Sequence, residues 1–436
     1  MTKVLPAYLY GRHIANLQRG ARGIEVDWSP ASSRVRGKAE ISASLPTGIA
    51  PAEAAADNFF GGLLPEGPWL DRLANEVGVH HSDIFGLLDN VGGDLAGALT
   101  IGHTRDHRPP ERLDPAQLPQ LLEQASGYFI GGGGSALPGY QRKITLTRMN
   151  DEWWLGNGTL PSTHILKPSP DLNSRVTDSE AYLLTLSRAL GLTTFDSWTE
   201  NIGGLSVVVI ERYDREQSMS DEPAKRLHQE DAAQALGLPW LSDAKFQRND
   251  ARANLAAIAN LLDTERTIFD TSEPERIRLL RYVTFNFASG NTDAHAKNYS
   301  ILRPDGSPAR LAPLYDLMPL AVLSEGRLGL PLWINGKRMS NEVTVSDLMM
   351  EAGTWGVASA EAELAITDTL QRLAAAVRDI PAPRSIAALL PGFVRTQANA
   401  LLDGKPARIE GPVPAYFRNR IGTPGGEVAA PTPSQP

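Results

Sequence analysis

Residues 290–298 read Gly290-Asn291-Thr292-Asp293-Ala294-His295-Ala296-Lys297-Asn298. The six from Asp293 to Asn298 hold a carboxylate, an imidazole, an ammonium and an amide, just after the apolar run LLRYVTFNFA (279–288). A chain with 8 histidines in 436 residues gathers such groups for a metal, for phosphoryl transfer, or merely to cap a loop. The metal reading is thin. Asp293 and His295 are ligand types, but His164 and His228 lie far off in sequence and no His-Glu-x-x-His motif occurs. His80 and His81 are adjacent, which sends their rings to different faces of a helix or strand.

Phosphoryl transfer accounts for more of the chain. It needs a carboxylate to accept or orient the attacking hydroxyl, oxygen ligands for Mg²⁺, and a lysine on the nucleotide phosphates. Protein kinases carry the first two as Asp-x-x-x-x-Asn on one loop, with a second metal-binding Asp on a later loop. Asp293 and Asn298 have that spacing, and Asp316 follows at the far end of the hairpin-like segment 298–316. Upstream, Lys167 ends the strand-like STHILK (162–167), and GGGG (131–134) is a turn that can offer backbone N–H groups to phosphate oxygens. Each piece alone has a plain reading: a solvated strand end, a flexible turn, a chance spacing, a helix cap. Their joint order is what points to chemistry.

Outward from this loop, the chain divides by pattern. AYLYGRHIANLQ (7–18) and GIEVDWS (23–29) alternate like a small antiparallel sheet. From Pro51 to His81 the period is helical, with Phe59, Phe60, Leu63 and Leu64 as core. The polar, Pro-rich stretch 106–115 is a boundary candidate. Then come strands at 143–148 and 162–167, the helix SEAYLLTLSRALGL (179–192) and the apolar strand LSVVVIERYD (205–214), the order of a small nucleotide-holding lobe. From about Gln229 the helical period dominates, and 422–436 lacks the apolar content to fold. Hydrophobic content of 42% and charged content of 21% are those of a soluble globular protein. A net charge of −8 argues against coating nucleic acid by bulk electrostatics. The absence of cysteine removes disulfides, thiolate metal sites and cysteine nucleophiles. No apolar run reaches the roughly 18 residues of a membrane span, so a cytoplasmic protein with no membrane association is expected.

The chain resembles the HipA family of serine/threonine kinases, the toxin half of HipBA toxin–antitoxin modules. The resemblance rests on FFGGLLPEGP (59–68), LPGYQRK (137–143), STHILK (162–167), VIERYDR (209–215), RLHQED (226–231), GNTDAHAKN (290–298) and PLYD (313–316). It implies an α+β, protein-kinase-like two-lobed fold with an additional N-terminal α/β subdomain and a mostly helical C-terminal lobe. The corresponding segments are 1–125, 126–216 and 217–420, with a disordered tail at 421–436. It implies ATP and Mg²⁺ as cofactors.

By the same resemblance Asp293 is the catalytic base, with Lys297 near the transferred phosphate or incoming hydroxyl and His295 holding the loop. Asn298 and Asp316 are the Mg²⁺ ligands, and Lys167 positions the nucleotide phosphates. Leu137, Pro138, Gly139, Tyr140, Gln141 and Lys143 belong to the phosphate loop, and Glu211 and Tyr213 to the adenine-pairing hinge. Glu180 is either the helix glutamate that pairs with Lys167 or a solvent-exposed acid in a first turn. Gln229, Glu230 and Asp231 match the family or simply cap the next helix. Many family members carry a phosphorylated serine where this chain has Ala136, and Ser135 stands one place earlier. The implied partners are a helix-turn-helix antitoxin of the HipB type, operator DNA through that antitoxin, and an aminoacyl-tRNA synthetase such as glutamyl-tRNA synthetase as substrate. The other reading is a nucleotide-binding corepressor with little kinase activity.

Overall fold

The computed structural model describes residues 3–21, 23–30, 37–102, 109–124, 137–139, 141–156, 159–169, 174–216, 222–262, 273–324 and 329–407. The tail expected at 421–436 lies outside them. The N-terminal unit begins with β1 (Val4–Leu9) and β2 (Arg12–Gly20), joined by Tyr10 and Gly11, both at positive φ (51° and 74°). That is the tight hairpin connection whose twist matches the strands. β3 (Gly23–Trp28) and, after α1 (Ala55–Gly61), α2 (Pro68–Val77) and α3 (Ile84–Val91), β4 (Leu99–Ile101) complete an antiparallel sheet ordered β3-β2-β1-β4. Phe59, Phe60, Leu63 and Leu64 are at most 1% exposed and form its core with Leu5 and Leu17.

The second sheet has six antiparallel strands ordered β5-β7-β6-β8-β10-β9. They are β5 (Glu111–Arg112), β6 (Ile144–Met149), β7 (Glu152–Leu155), β8 (His164–Pro168), β9 (Ser197–Ile202) and β10 (Leu205–Glu211). Two further elements are α4 (Leu118–Gln124) and α5 (Arg175–Ala189). β5 pairs with β7, and Leu113, Leu118 and Leu122 pack with Ile144 and Leu146. The small lobe therefore recruits residues that the reading of 1–125 as one unit had left with the N-terminal subdomain. β5 lies inside the Pro-rich stretch 106–115. The middle of β10 is a continuous apolar run because both faces are covered: Val207 and Val209 join that core, whereas Val208 and Ile210 face the core containing α5.

After the short pair β11 (Arg215–Glu216) and β12 (Lys225–Arg226) comes the larger lobe. β13 (Gln229–Asp231) leads into α6 (Ala232–Ala235), α7 (Leu255–Leu261) and α8 (Glu275–Ala288). β14 (Ser300–Leu302) pairs with β13 on one side and β15 (Arg310–Leu311) on the other in a three-stranded sheet, and α9 (Leu320–Leu323) follows. A hairpin of β16 (Gly329–Ile334) and β17 (Lys337–Met339) interrupts the helices before α10 (Val345–Thr354), α11 (Ser359–Asp379) and α12 (Leu390–Leu402). Its turn, Asn335-Gly336, has φ of 52° and 72°, the two-residue hairpin signal that the helical period on either side obscured. α8, α11 and α12 share one core with α5. Among the described residues no helix is long and apolar enough to cross a membrane.

The N-terminal unit is fastened to the end of β10 by buried charge. Arg212 donates to both oxygens of Asp214 (2.9 and 2.8 Å) and to Leu95 O (2.9 Å). Arg215 reaches Asp94 (2.9 Å) and Gly97 O (3.0 Å), and Asp214 accepts from Gly97 N (2.7 Å). His228 Nε2 donates to Ile41 O (2.7 Å), which leaves Nδ1 to accept from Ala98 N. Burial pushes its pKa down to about 4, so the ring is neutral.

Candidate active site

Between the two lobes, and walled on one side by the N-terminal unit, lies a cavity of about 610 Å³. The central strand β8 delivers Lys167 into it. Lys167 Nζ lies 2.6 Å from Glu180 Oε1 on α5 and 2.8 Å from Asp316 Oδ1. Glu180 is fully buried in the second turn of α5, which excludes the solvent-exposed alternative. Burial and the nearby Asp316 outweigh Lys167 and hold the Glu180 carboxyl above its usual range. Burial would raise Asp316 too, but Lys167 and Lys143 hold it down to about 2. Two carboxylates around one lysine are thus driven apart, and Asp316 stays ionised at the cavity. Its φ of 55° turns the chain sharply after Tyr315.

α8 ends at Ser289, and Gly290 (φ 76°) turns the chain away. A Cβ there would stand 2.6 Å from the Phe393 ring. The loop that follows is braced internally. Asn291 Oδ1 accepts from Asp293 N (3.2 Å), and Asn298 Nδ2 donates to Asp293 O (3.2 Å). Tyr315 OH donates to Lys297 O (2.7 Å) and accepts from Ser300 Oγ (2.7 Å), tying the loop to the segment that carries Asp316. His295 is buried edge-on against Phe246, with ring centroids 5.1 Å apart. Burial and Lys245 push its pKa down to about 3, so it is neutral, and its Nδ1 has no partner among the described residues. Asp293, His295, Lys297 and Asn298 all border the cavity.

The other predicted residues reach the same space where they are described. Leu137, Pro138, Gly139, Gln141 and Lys143 form one wall. Gly139 has φ 116°, and a Cβ on it would lie 2.8 Å from Lys143 Nζ, so only glycine fits. Lys143 donates to Pro138 O; burial and Lys167 lower its pKa to about 8. Glu211 and Tyr213 border the far end, where the Tyr213 ring lies between Phe195 (6.1 Å) and Tyr315 (5.3 Å). Ser135, Ala136 and Tyr140 lie outside the described residues, as does GGGG.

RLHQED proves mainly architectural. Asp231 caps α6 in a reciprocal capping box with Gln234, and Glu230 binds Arg303 and Ala43 N (3.1 Å). Gln229 accepts from Tyr213 OH. Among the cavity residues that sequence reasoning missed, two form an ion cluster with Lys297. Glu66, from LPEGP in the N-terminal unit, bonds Lys297 (2.8 Å) and Lys245 (2.6 Å). Its only sequence signal is an acid set between an apolar pair and a rigid Gly-Pro step; Lys245 carries none.

Residues 135–377 match the HipA-like C-terminal domain and residues 5–102 the HipA N-terminal domain. The chain belongs to the HipA family. Its relatives include a protein of Sinorhizobium fredii provisionally named kinase Y4mE, 31% identical over 85% of this chain and 88% of the relative. Another is the serine/threonine-protein kinase toxin HipA of Shewanella oneidensis, 26% identical over 65% of this chain and 68% of that one. The solved complex of Shewanella oneidensis HipA with HipB and operator DNA shares the fold. The TM-score is 0.77 at 22% identity, covering 92% of this chain and 97% of that one. The architecture is the α+β, kinase-like one of HipA, and the family places the chain among serine/threonine kinases.

Proposed function

We propose that this protein is an ATP- and Mg²⁺-dependent serine/threonine kinase that acts as the toxin of a toxin–antitoxin pair in the cytoplasm. One observation carries the reading. Lys167 braced by Glu180, the Asp293–Asn298 loop and an ionised Asp316 converge on a single cavity, although they lie up to 149 residues apart in sequence. The donor set fits Mg²⁺, which commonly takes one or two protein oxygens and fills its shell with phosphate and water. Asn298 and Asp316 are hard oxygen donors, and Asp316 is held in its ionised form. When bound, Mg²⁺–ATP supplies the phosphoryl group.

The residues of the chain do the rest. Asp293 orients the acceptor hydroxyl and takes its proton. Lys167, fixed by Glu180, offers its ammonium to phosphate oxygens, and the loop with Gly139 lets backbone approach them. The main chain at Glu211 and Tyr213 takes adenine, with the Tyr213 ring as a wall. His295, neutral against Phe246, holds the loop, and Lys297 stands toward the transferred group.

The substrate we propose is an aminoacyl-tRNA synthetase, glutamyl-tRNA synthetase among them, whose phosphorylation stops translation. The partner is a small helix-turn-helix protein of the HipB type. Support comes from the Shewanella oneidensis complex, which contains HipB and operator DNA. With a net charge of −8 on this chain, the partner supplies most phosphate contacts. Transfer from γ-labelled ATP into a cell extract, with mass spectrometry of the labelled band, tests the reading. A protein that binds ATP and labels nothing would instead be a nucleotide-binding corepressor.

A further inference from the structure

Resting on the kinase reading, we infer that Glu66 is a positioning residue for phosphoryl transfer. It holds Lys297 and Lys245 at the acceptor end of the cavity, and so makes the N-terminal unit part of the active site. Glu66 lies between α1 and α2, and its place is set by the backbone. Gly67 (φ 56°, ψ −134°) adopts a conformation that suits glycine, and Pro68 opens α2 immediately after it. From there one carboxylate spans three segments. Oε1 lies 2.8 Å from Lys297 Nζ on the Asp293 loop, and Oε2 lies 2.6 Å from Lys245 Nζ, at the end of the turn Asp243–Lys245. Its backbone N–H donates to Gly139 O (3.4 Å) in the wall opposite. The Glu66, Lys245 and Lys297 side chains are 13%, 6% and 12% exposed, and all three residues border the cavity.

The charge count gives the group its task. Two ammonium groups share one carboxylate beside Asp293, with Asp231 a further carboxyl acting on Lys297; without Glu66 the two ammoniums lose the carboxylate that bridges them and repel each other. Burial works against an ionised Glu66, but Lys297 and Lys245 hold its carboxyl well below the usual range, so the bridge persists at neutral pH. A fixed Lys297 is worth more than a mobile one, because a displacement of about 1 Å near reacting groups can slow a reaction about 10²-fold.

The test compares wild type, Glu66→Gln, Lys245→Met and the double variant in phosphoryl transfer from Mg²⁺–ATP. Lysine labelling by acetic anhydride, read by mass spectrometry, runs in parallel. Glu66→Gln should lower kcat about 10- to 100-fold with KM for ATP within about threefold, and labelling of Lys297 and Lys245 should rise several-fold. Removing the second cation in the double variant should recover part of kcat, which a merely structural role would not allow. Unchanged kcat in Glu66→Gln, or a loss in which ATP KM rises in step and the second substitution gives no recovery, overturns the inference. If wild type transfers no phosphate, the kinase reading falls. The labelling then decides separately: unchanged lysine reactivity in Glu66→Gln also sinks the role of Glu66.

Discussion

The joint between the N-terminal unit and β10 and the cavity between the lobes are both built from buried charge and share a wall, since Arg212 and Asp214 also line the cavity. The joint is closed, its charges paired with one another, whereas the Lys167–Asp316 end of the cavity is open. At the joint, Asp94, Arg212, Asp214 and Arg215 are each at most 5% exposed, and they bond one another and main-chain groups. At the cavity, the Asp316 side chain is 43% exposed, while Glu180 Oε2 and His295 Nδ1 have no partner among the described residues. Buried charge that satisfies itself holds domains together. Buried charge left partly unsatisfied around a cavity is arranged for something that arrives.

The largest expected effect lies on the open side. Asp293→Gln keeps a polar side chain, one methylene longer, but removes the proposed proton acceptor, so kcat should fall about 10²- to 10⁴-fold. Asp293 is only partly buried, so its urea midpoint should correspond to a change within about 0.5 kcal/mol. A variant that phosphorylates at the wild-type rate would remove Asp293 from the mechanism. The closed side should respond in the opposite way. Asp214→Ala leaves Asp94 as the carboxylate that Arg212 and Arg215 must share, and removing one partner from a buried ion cluster costs about 3–5 kcal/mol of stability. Urea unfolding reads this directly, and a loss under 1 kcal/mol would mean that the joint is not closed as described.

Asp316→Ala tests the cavity at a group with two duties, since Asp316 pairs with Lys167 and, in the proposed mechanism, offers oxygen to Mg²⁺. Lys167 keeps Glu180, so the fold should survive. Mg²⁺–ATP affinity should drop about 10- to 100-fold, the usual result of disturbing a metal's surroundings. Calorimetry showing unchanged affinity would assign the metal elsewhere.

The same contrast explains what could be read from the sequence. The cavity was legible because its chemistry is local: Asp293 and Asn298 sit on one loop at a fixed offset, and Lys167 ends a strand. Glu180 was left open between two readings, because only the packing of α5 against β10 decides whether its turn faces solvent. Glu66 was seen only as one letter of FFGGLLPEGP, with no role, and Lys245 was invisible. They reach the site across 231 and 52 residues of sequence from Lys297, and no local pattern encodes such a meeting. VIERYDR was read only as a hinge, although Asp214 and Arg215 serve the joint; a run of alternating charge looks the same whether it is solvated or buried. β9 was missed because SWTENI lacks the apolar alternation of a half-buried strand, as expected at a sheet edge.

The smallest expected effect separates the two regions by pH. His228 belongs to the joint, where Nε2–H donates to Ile41 O and Nδ1 accepts from Ala98 N. Protonation would set N–H against N–H, and the folded pKa is about 4, against roughly 6.5 in an unfolded chain. Between those values the unfolded state binds more protons, so stability is fully present above pH 6.5 and is lost as the pH falls toward 4. Burial gives His164 (about 4) and His295 (about 3) the same sign. Asp231, raised by burial to about 6, has the opposite sign: its contribution is present at low pH and is lost as the pH rises through 6. The wild-type slope is therefore a sum, and the difference from His228→Gln isolates one term. Glutamine keeps a donor for Ile41 O and cannot titrate. The variant should start less stable at pH 7.5. Its stability should then fall less steeply with acid than wild type, by up to about 1.4 kcal/mol per pH unit between pH 6 and 4.5. Parallel stability–pH curves for the two proteins would show that His228 is not held neutral in the joint.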